Sequence, residues 1–74
     1  MEDMRKLVGR NFARLRAERG LTQEAVAERA NRSQQYISGL ESGKRDPTVQ
    51  TLFQIAQALG VSHMELVKPD HQDH

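Results

Sequence analysis

The sequence contains no cysteine and no tryptophan, and aromatic residues make up only 4% of the chain. The absence of cysteine excludes a disulfide framework, a thiol nucleophile and a thiolate-ligated zinc or iron–sulfur site. The longest apolar runs are two or three residues, which excludes a membrane span. The opening stretch MEDMRKLVGRNF lacks the apolar segment of a signal peptide, so we expect a cytoplasmic protein. The scarcity of aromatic rings also argues against binding of single-stranded nucleic acid by base stacking.

Motifs that carry catalysis are missing as well. The sequence has no glycine-rich phosphate loop, no nucleophile elbow and no HExxH motif. His63 stands at the start of a short predicted helix without an evident partner for general-base chemistry. His71, Asp73 and His74 lie in a polar tail, where a flexible chain end does not preorganise a metal site. We therefore expect no enzymatic activity, no cofactor, no metal and no small-molecule effector.

The two ends of the chain carry opposite charge, although the net charge of the 74 residues is only +1. Residues 1–45 contain ten Lys and Arg against six Asp and Glu, which gives +4. Residues 46–74 contain one against four, which gives −3. A basic front half fits a protein that presents one end to a polyanion. On charge alone, a randomly solvated surface is an equally good interpretation.

Breaks at glycine, asparagine and proline divide the chain into five segments with helical spacing of apolar residues, and no segment alternates with period two. Thr22 and Ser33 are predicted N-caps, and Ser62 with Glu65 is a predicted capping box. The predicted inner faces are Met4, Leu7, Val8, Phe12 and Leu15, then Val26, Ala27 and Ala30, then Ile37 and Leu40, then Val49, Leu52, Ile55, Ala56 and Leu59, and finally Val61 and Leu66. We expect an all-α, five-helix domain over residues 1–68 with a polar tail over 69–74.

The second and third helices are joined by a very short turn, roughly Asn31–Ser33. Two helices joined in this way cross steeply and need a small residue at their contact, which Ala27 supplies. Asn31 tolerates the left-handed conformation that the turn requires. This pattern indicates a helix-turn-helix, in which the start of the second of the two helices meets base edges of DNA. Gln34 lies there, and a glutamine amide can pair bidentately with adenine in the major groove.

At this point the chain resembles the phage-repressor and Cro-like family of helix-turn-helix domains, the XRE type. The resemblance rests on LTQ at 21–23, YISGLE at 36–41, GKRDPT at 43–48 and ALGV at 58–61, and it covers about residues 7–67. It implies a compact repressor-like fold and a sequence-specific transcriptional regulator that binds double-stranded DNA. A restriction–modification controller and an antitoxin-type autoregulator are alternatives within the same family.

The resemblance also implies roles for individual residues. The expected base readers are Gln34, Gln35, Ser38 and Gly39. The expected contacts to the DNA backbone are Arg10, Arg14, Thr22, Gln23, Arg32, Tyr36, Ser42, Lys44 and Arg45. Arg16 and Glu41 match positions that form a structural ion pair between the first and third helices.

Three positions depart from the family pattern. Gly39 stands where relatives have a larger polar or basic side chain, so base reading there is absent or replaced by close backbone approach. Asn31 replaces the usual glycine of the turn. Arg32 replaces an aliphatic residue, and it either reaches a phosphate or is simply solvated.

Tyr36 is the only tyrosine of the sequence. Its ring either packs on the domain with the hydroxyl toward the DNA backbone or has a packing role alone.

The last expectation concerns self-association. A domain of this size has a small core, and a single recognition helix reads only a few base pairs. Phe53, Met64 and Val67 are apolar residues that the predicted core does not need, and His63 lies beside them. We expect a symmetric homodimer through these four residues on a pseudo-palindromic operator. The competing function from another class is a helix-turn-helix module that docks proteins and does not bind DNA.

Overall fold

The computed structural model describes residues 3–69. The described chain consists of five helices: α1 Met4–Glu18, α2 Gln23–Ala30, α3 Gln34–Glu41, α4 Val49–Leu59 and α5 Met64–Val67. Within residues 3–69 there is no strand, which confirms the predicted all-α class. The predicted tail beyond Pro69, including His71, Asp73 and His74, lies outside the described residues.

Side-chain caps start α2 and α3 at the residues that the sequence predicts, and Thr48 caps α4 in the same way. The hydroxyls of Thr22, Ser33 and Thr48 each accept a hydrogen bond from the backbone N–H three residues later, at 3.0–3.1 Å. Each such bond satisfies one of the backbone donors that the first helical turn leaves without a partner. Helix α5 departs from the prediction, because the Ser62 hydroxyl accepts from Met64 instead of forming a capping box with Glu65. Glu65 pairs with the ammonium group of Lys68.

The core lies where the five helices meet. Its fully buried side chains come from all five elements: Phe12, Val26, Ile37, Leu40, Ile55, Leu59 and Leu66. Two residues predicted for the inner faces are instead exposed, Met4 at 54% and Val49 at 78%. Both are the first residues of their helices. The apolar periodicity of each helix includes them, but the neighbouring helices leave their side chains exposed.

Helix α1 contacts α3 along one side and α5 along the other. On the α3 side Gly9 is buried, and a Cβ built on it would lie 2.6 Å from the carbonyl oxygens of Leu40 and Glu41. On the α5 side the buried amide of Asn11 donates to the carbonyl oxygens of Leu66 and Lys68, at 2.9 Å each. Helix α1 therefore joins the end of α3 to the end of the described chain.

No helix in residues 3–69 combines the length and the apolar character needed to cross a membrane.

Candidate nucleic-acid interface

The turn between α2 and α3 fixes the direction in which α3 leaves the domain. Asn31 has φ 57° and ψ 46°, the left-handed conformation predicted for it. The N–H of Arg32 donates to the carbonyl oxygen of Ala27 at 2.8 Å, which closes the end of α2. Ala27 is buried at the contact between the two helices, and Ile37 and Leu40 anchor α3 in the core. The opposite face of α3 is thereby turned outward.

The outward face of α3 carries the polar residues predicted as base readers. Gln34, Gln35 and Ser38 are exposed, and Gly39 is half-buried on the same face. Gln34 and Gln35 occupy the first turn of α3, directly after the N-cap Ser33. Two adjacent amide side chains therefore project from the helix end that enters the major groove in a helix-turn-helix.

The N-terminus of α2 and the C-terminus of α3 supply further polar groups. The Thr22 hydroxyl oxygen accepts from Ala25, which leaves its proton available to a phosphate, and Gln23 follows as the first residue of α2. The Ser42 hydroxyl donates to the Gly39 carbonyl oxygen at 3.1 Å. Its proton is therefore already used at the end of α3. Lys44 is exposed in the loop that follows.

Arg45 lies across α3 rather than away from it. A Cβ built on Gly39 would lie 3.1 Å from both the Cγ and the Nε of Arg45. The guanidinium carbon of Arg45 stands 5.1 Å from the centre of the Tyr36 ring. Tyr36 is half-buried and packs against the core, so its ring supports this guanidinium. The absence of a side chain at Gly39 makes room for the arrangement.

Arg32 turns toward α4. Its Nη2 donates to the Thr51 hydroxyl and to the Gln54 side-chain oxygen, at 2.9 Å each. Its guanidinium carbon lies 5.2 Å from the centre of the Tyr36 ring. Arg32 therefore ties the start of α3 to α4 and to Tyr36, a role that neither sequence interpretation of this residue included.

Lys6 joins the basic residues near the end of α3, and sequence reasoning missed it. A Cβ built on Gly43, which has φ +77°, would lie 2.9 Å from the Cγ of Lys6. Lys6 thus lies against the residue that precedes Lys44. Predicting that Lys6 lies near Lys44 would require knowing that the basic first helix packs on α3. The spacing of nearby residues does not give this packing.

Of the two arginines of α1 predicted to face DNA, Arg10 is exposed. Arg14 donates to the side-chain oxygen of Asn11 at 3.2 Å and lies 3.7 Å from Glu18. Since Asn11 is the residue that holds the end of α5, these contacts put Arg14 on the α5 side of α1. The structure therefore does not bring Arg14 to the polar face of α3.

Arg16 and Glu41 are brought together between α1 and α3. The Nε and Nη2 atoms of Arg16 donate to the two carboxylate oxygens of Glu41. Nη1 of Arg16 donates to the carbonyl oxygen of Leu21 at 2.8 Å. One guanidinium thus links α1, the loop before α2 and the last residue of α3.

The residues predicted for self-association divide into two groups. Phe53 and Met64 are 50% and 64% exposed, and the Phe53 and His63 rings lie 5.1 Å apart. Val67 is only partly exposed and packs against the core, so it offers less apolar surface to a second copy than Phe53 and Met64 do. The sequence did not distinguish them because α5 is a single turn, whose buried and exposed sides depend on how α1 holds it.

Two short helices are joined by a turn in which Asn31 has the left-handed backbone conformation. The second helix presents its polar face outward, beside basic residues. This arrangement defines a helix-turn-helix DNA-binding domain. The chain belongs to the family described as Helix-turn-helix, whose model matches residues 12–66. This confirms the resemblance found in the sequence, and the family identifies the chain as a DNA-binding transcriptional regulator.

Three similar proteins illustrate the family. An uncharacterized HTH-type transcriptional regulator, y4dJ of Sinorhizobium fredii, is 70% identical over 67 residues, which are 90% of this chain and 87% of the relative. The immunity repressor of Bacillus phage phi105 is 38% identical over 60 residues, which are 81% of this chain and 42% of the repressor. The restriction-modification controller protein C.AhdI of Aeromonas hydrophila has a crystal structure with a TM-score of 0.81 and 29% identity, covering 84% of this chain and 94% of the controller.

Proposed function

We infer that this regulator recognises a specific DNA sequence by inserting the start of α3 into the major groove. The observation that carries this inference is the exposed row of Gln34, Gln35 and Ser38 on α3. Glutamine amides suit this position because they can donate and accept at the edge of a single adenine. The remaining polar groups nearby serve the phosphates that flank the groove.

The proposed phosphate contacts lie on both sides of that row. Thr22 and Gln23 stand at the N-terminus of α2, where the backbone N–H groups and the helix dipole favour an anion. Lys44 and Lys6 stand at the other end of α3. Such contacts position the domain on the duplex without reading its sequence. Arg10 is an exposed cation that adds to the same field.

The proposed active form is a symmetric dimer joined through Phe53, His63 and Met64. Exposed apolar side chains gain from burial against a second copy, and a 74-residue chain has a small core of its own. Two recognition helices on one face of DNA need a separation of about 34–36 Å. The operator would then be pseudo-palindromic, and the dimer would act in the cytoplasm without catalysis.

The test begins with selection of binding sites from random duplexes. The affinity for the selected site is then measured between about 50 and 200 mM salt. Over this range the affinity of a protein with about six or more phosphate contacts falls steeply. We expect a palindromic consensus whose half-sites are about 10–10.5 base pairs apart from centre to centre, or a multiple of that spacing.

Each other result contradicts a different part of the proposal. Failure to bind any duplex in a salt-dependent way would favour the protein-docking alternative. A single asymmetric half-site bound by a monomer would retain α3 as the base-reading helix and contradict the dimer.

The similarity to C.AhdI makes a restriction–modification controller the second candidate function. Such a controller would differ in the genes that it regulates and not in the way that α3 and the dimer bind DNA.

A further inference from the structure

Arg45 occupies the space that a side chain at Gly39 would need. Gly39 lies one helical turn after Gln35 on the exposed face of α3. The Cγ and Nε of Arg45 both lie 3.1 Å from the ideal Cβ position of Gly39, and its Cδ lies at 3.7 Å. The stem of Arg45 therefore occupies, on the exposed side of α3, the position that a side chain at Gly39 would take.

The guanidinium of Arg45 has a support at its far end. It lies over the Tyr36 ring, 5.1 Å from the ring centre, which is within the range of a cation–π interaction. Tyr36 packs against the core and also meets the guanidinium of Arg32, which α4 holds through Thr51 and Gln54. A planar group stacked on a fixed ring loses less conformational freedom on binding than a free side chain.

We propose that Arg45 is a base-reading residue that recognises a guanine in each half-site, supplying the side chain that Gly39 lacks. This proposal rests on the proposed function, because it assumes that the α3 face enters the major groove. Guanine is the base that presents two acceptors, O6 and N7, to the groove, and they match the parallel donors of a guanidinium. A phosphate contact would need only positive charge, whereas Arg45 has its stem at the Gly39 position of α3 and its planar guanidinium stacked on the Tyr36 ring.

The experiment repeats the site selection with Arg45→Lys, Arg45→Ala and Gly39→Ala, after circular dichroism has shown that each variant is folded. Lysine keeps the charge but lacks the planar pair of donors. We expect both Arg45 variants to lose one guanine preference per half-site and to retain the preferences at other positions. Affinity for the wild-type operator should fall about 5- to 150-fold in Arg45→Lys, while the salt dependence keeps its slope.

Gly39→Ala tests the positioning. The new Cβ displaces the Arg45 stem, so the guanine preference should weaken although Arg45 itself is unchanged. An unchanged preference in Gly39→Ala would overturn the role of Gly39.

Two results would overturn the reading role of Arg45. One is an unchanged consensus in Arg45→Lys. The other is an equal loss on all duplexes in Arg45→Ala, with a salt slope flatter by about 0.9, which is the behaviour of a phosphate contact. If the wild-type protein selects a consensus in the same experiment, either result refutes this inference alone. If the wild-type protein selects none, the proposed function fails.

Discussion

Arg16 on α1 binds both carboxylate oxygens of Glu41, the last residue of the recognition helix α3. The two side chains are only 23% and 15% exposed, so water screens the pair less than it screens a surface ion pair. The same guanidinium holds the Leu21 carbonyl oxygen. One arginine therefore links α1, the loop before α2 and the end of α3.

A double-mutant cycle of Arg16→Ala and Glu41→Ala should show strong coupling. Each single change leaves the other group partly buried and without its partner, and it should cost about 1.5–3 kcal/mol of unfolding free energy. Arg16→Ala should cost more, because it also removes the bond to Leu21. The measurement is urea denaturation. The matched control is the more exposed pair Glu65 and Lys68, for which we expect a coupling below about 1 kcal/mol. Additive effects at Arg16 and Glu41 would contradict the interaction.

Gln34→Ala should reduce sequence discrimination. Loss of a bidentate contact to a base should weaken binding to the operator by about 1–3 kcal/mol and leave binding to random duplex nearly unchanged. Fluorescence anisotropy with both duplexes measures the difference. An equal loss on the two duplexes would mean that Gln34 contacts the backbone and not a base.

Lys6→Ala and Lys44→Ala should weaken binding to all duplexes alike. Each change removes one phosphate contact and should flatten the slope of log affinity against log salt by about 0.9. Lys68→Ala is the control, because it removes the same charge at the end of α5, where Lys68 already pairs with Glu65. A slope that changes equally in all three variants would show that only net charge matters.

Gly9→Ala and Gly39→Ala should have opposite effects on stability. Alanine is normally better than glycine inside a helix by about 0.5–1 kcal/mol. At Gly39 the three atoms nearest to the new Cβ all belong to the Arg45 side chain, which can move aside more easily than backbone, so much of that gain should appear. At Gly9 the new Cβ meets two carbonyl oxygens of α3 at 2.6 Å, and we expect a loss of about 1–3 kcal/mol. Thermal melts of both variants would reveal the sign, and a stabilised Gly9→Ala would contradict the close approach of α1 to α3.

Met64→Glu should dissociate the proposed dimer, because it puts a charge into the surface formed by Phe53, His63 and Met64. Sedimentation equilibrium at micromolar concentration compares it with the wild type and with Ala17→Glu, which adds the same charge to an exposed site on α1. We expect only Met64→Glu to be monomeric. A wild type that stays monomeric on its operator would refute the dimer, and a dimer indifferent to Met64→Glu would move its interface elsewhere.

The sequence predicted the features that depend on nearby residues. The caps at Thr22 and Ser33 and the left-handed turn at Asn31 are local, because each is decided by a side chain and the backbone within a few residues. The exposed face of α3 could be predicted for a similar reason, since Ile37 and Leu40 determine which side is buried.

The remaining features depend on packing between distant segments. Arg32 could not be assigned because its partners, Thr51 and Gln54, lie on another helix. The sequence could not show that Val67 is partly buried and Val49 exposed. Apolar periodicity identifies the side of a helix that faces the core, but it does not show which residues of that side the neighbouring helices contact. Gly39 looked like a missing reader until the path of Arg45 over α3 was known.

The two attachments of α1 have a consequence for the operator. The Asn11 side chain on α1 donates to carbonyl groups at the end of α5. On the other side of α1, Gly9 packs against α3 and Arg16 donates to Glu41 of α3. A dimer joined near α5 would therefore carry its two recognition helices without a hinge between them. Inserting one base pair between the half-sites rotates them by about 34–36° around the DNA axis, since a turn contains about 10–10.5 base pairs. Such a rigid dimer would discriminate operators by the length of the spacer as well as by the bases of the half-sites.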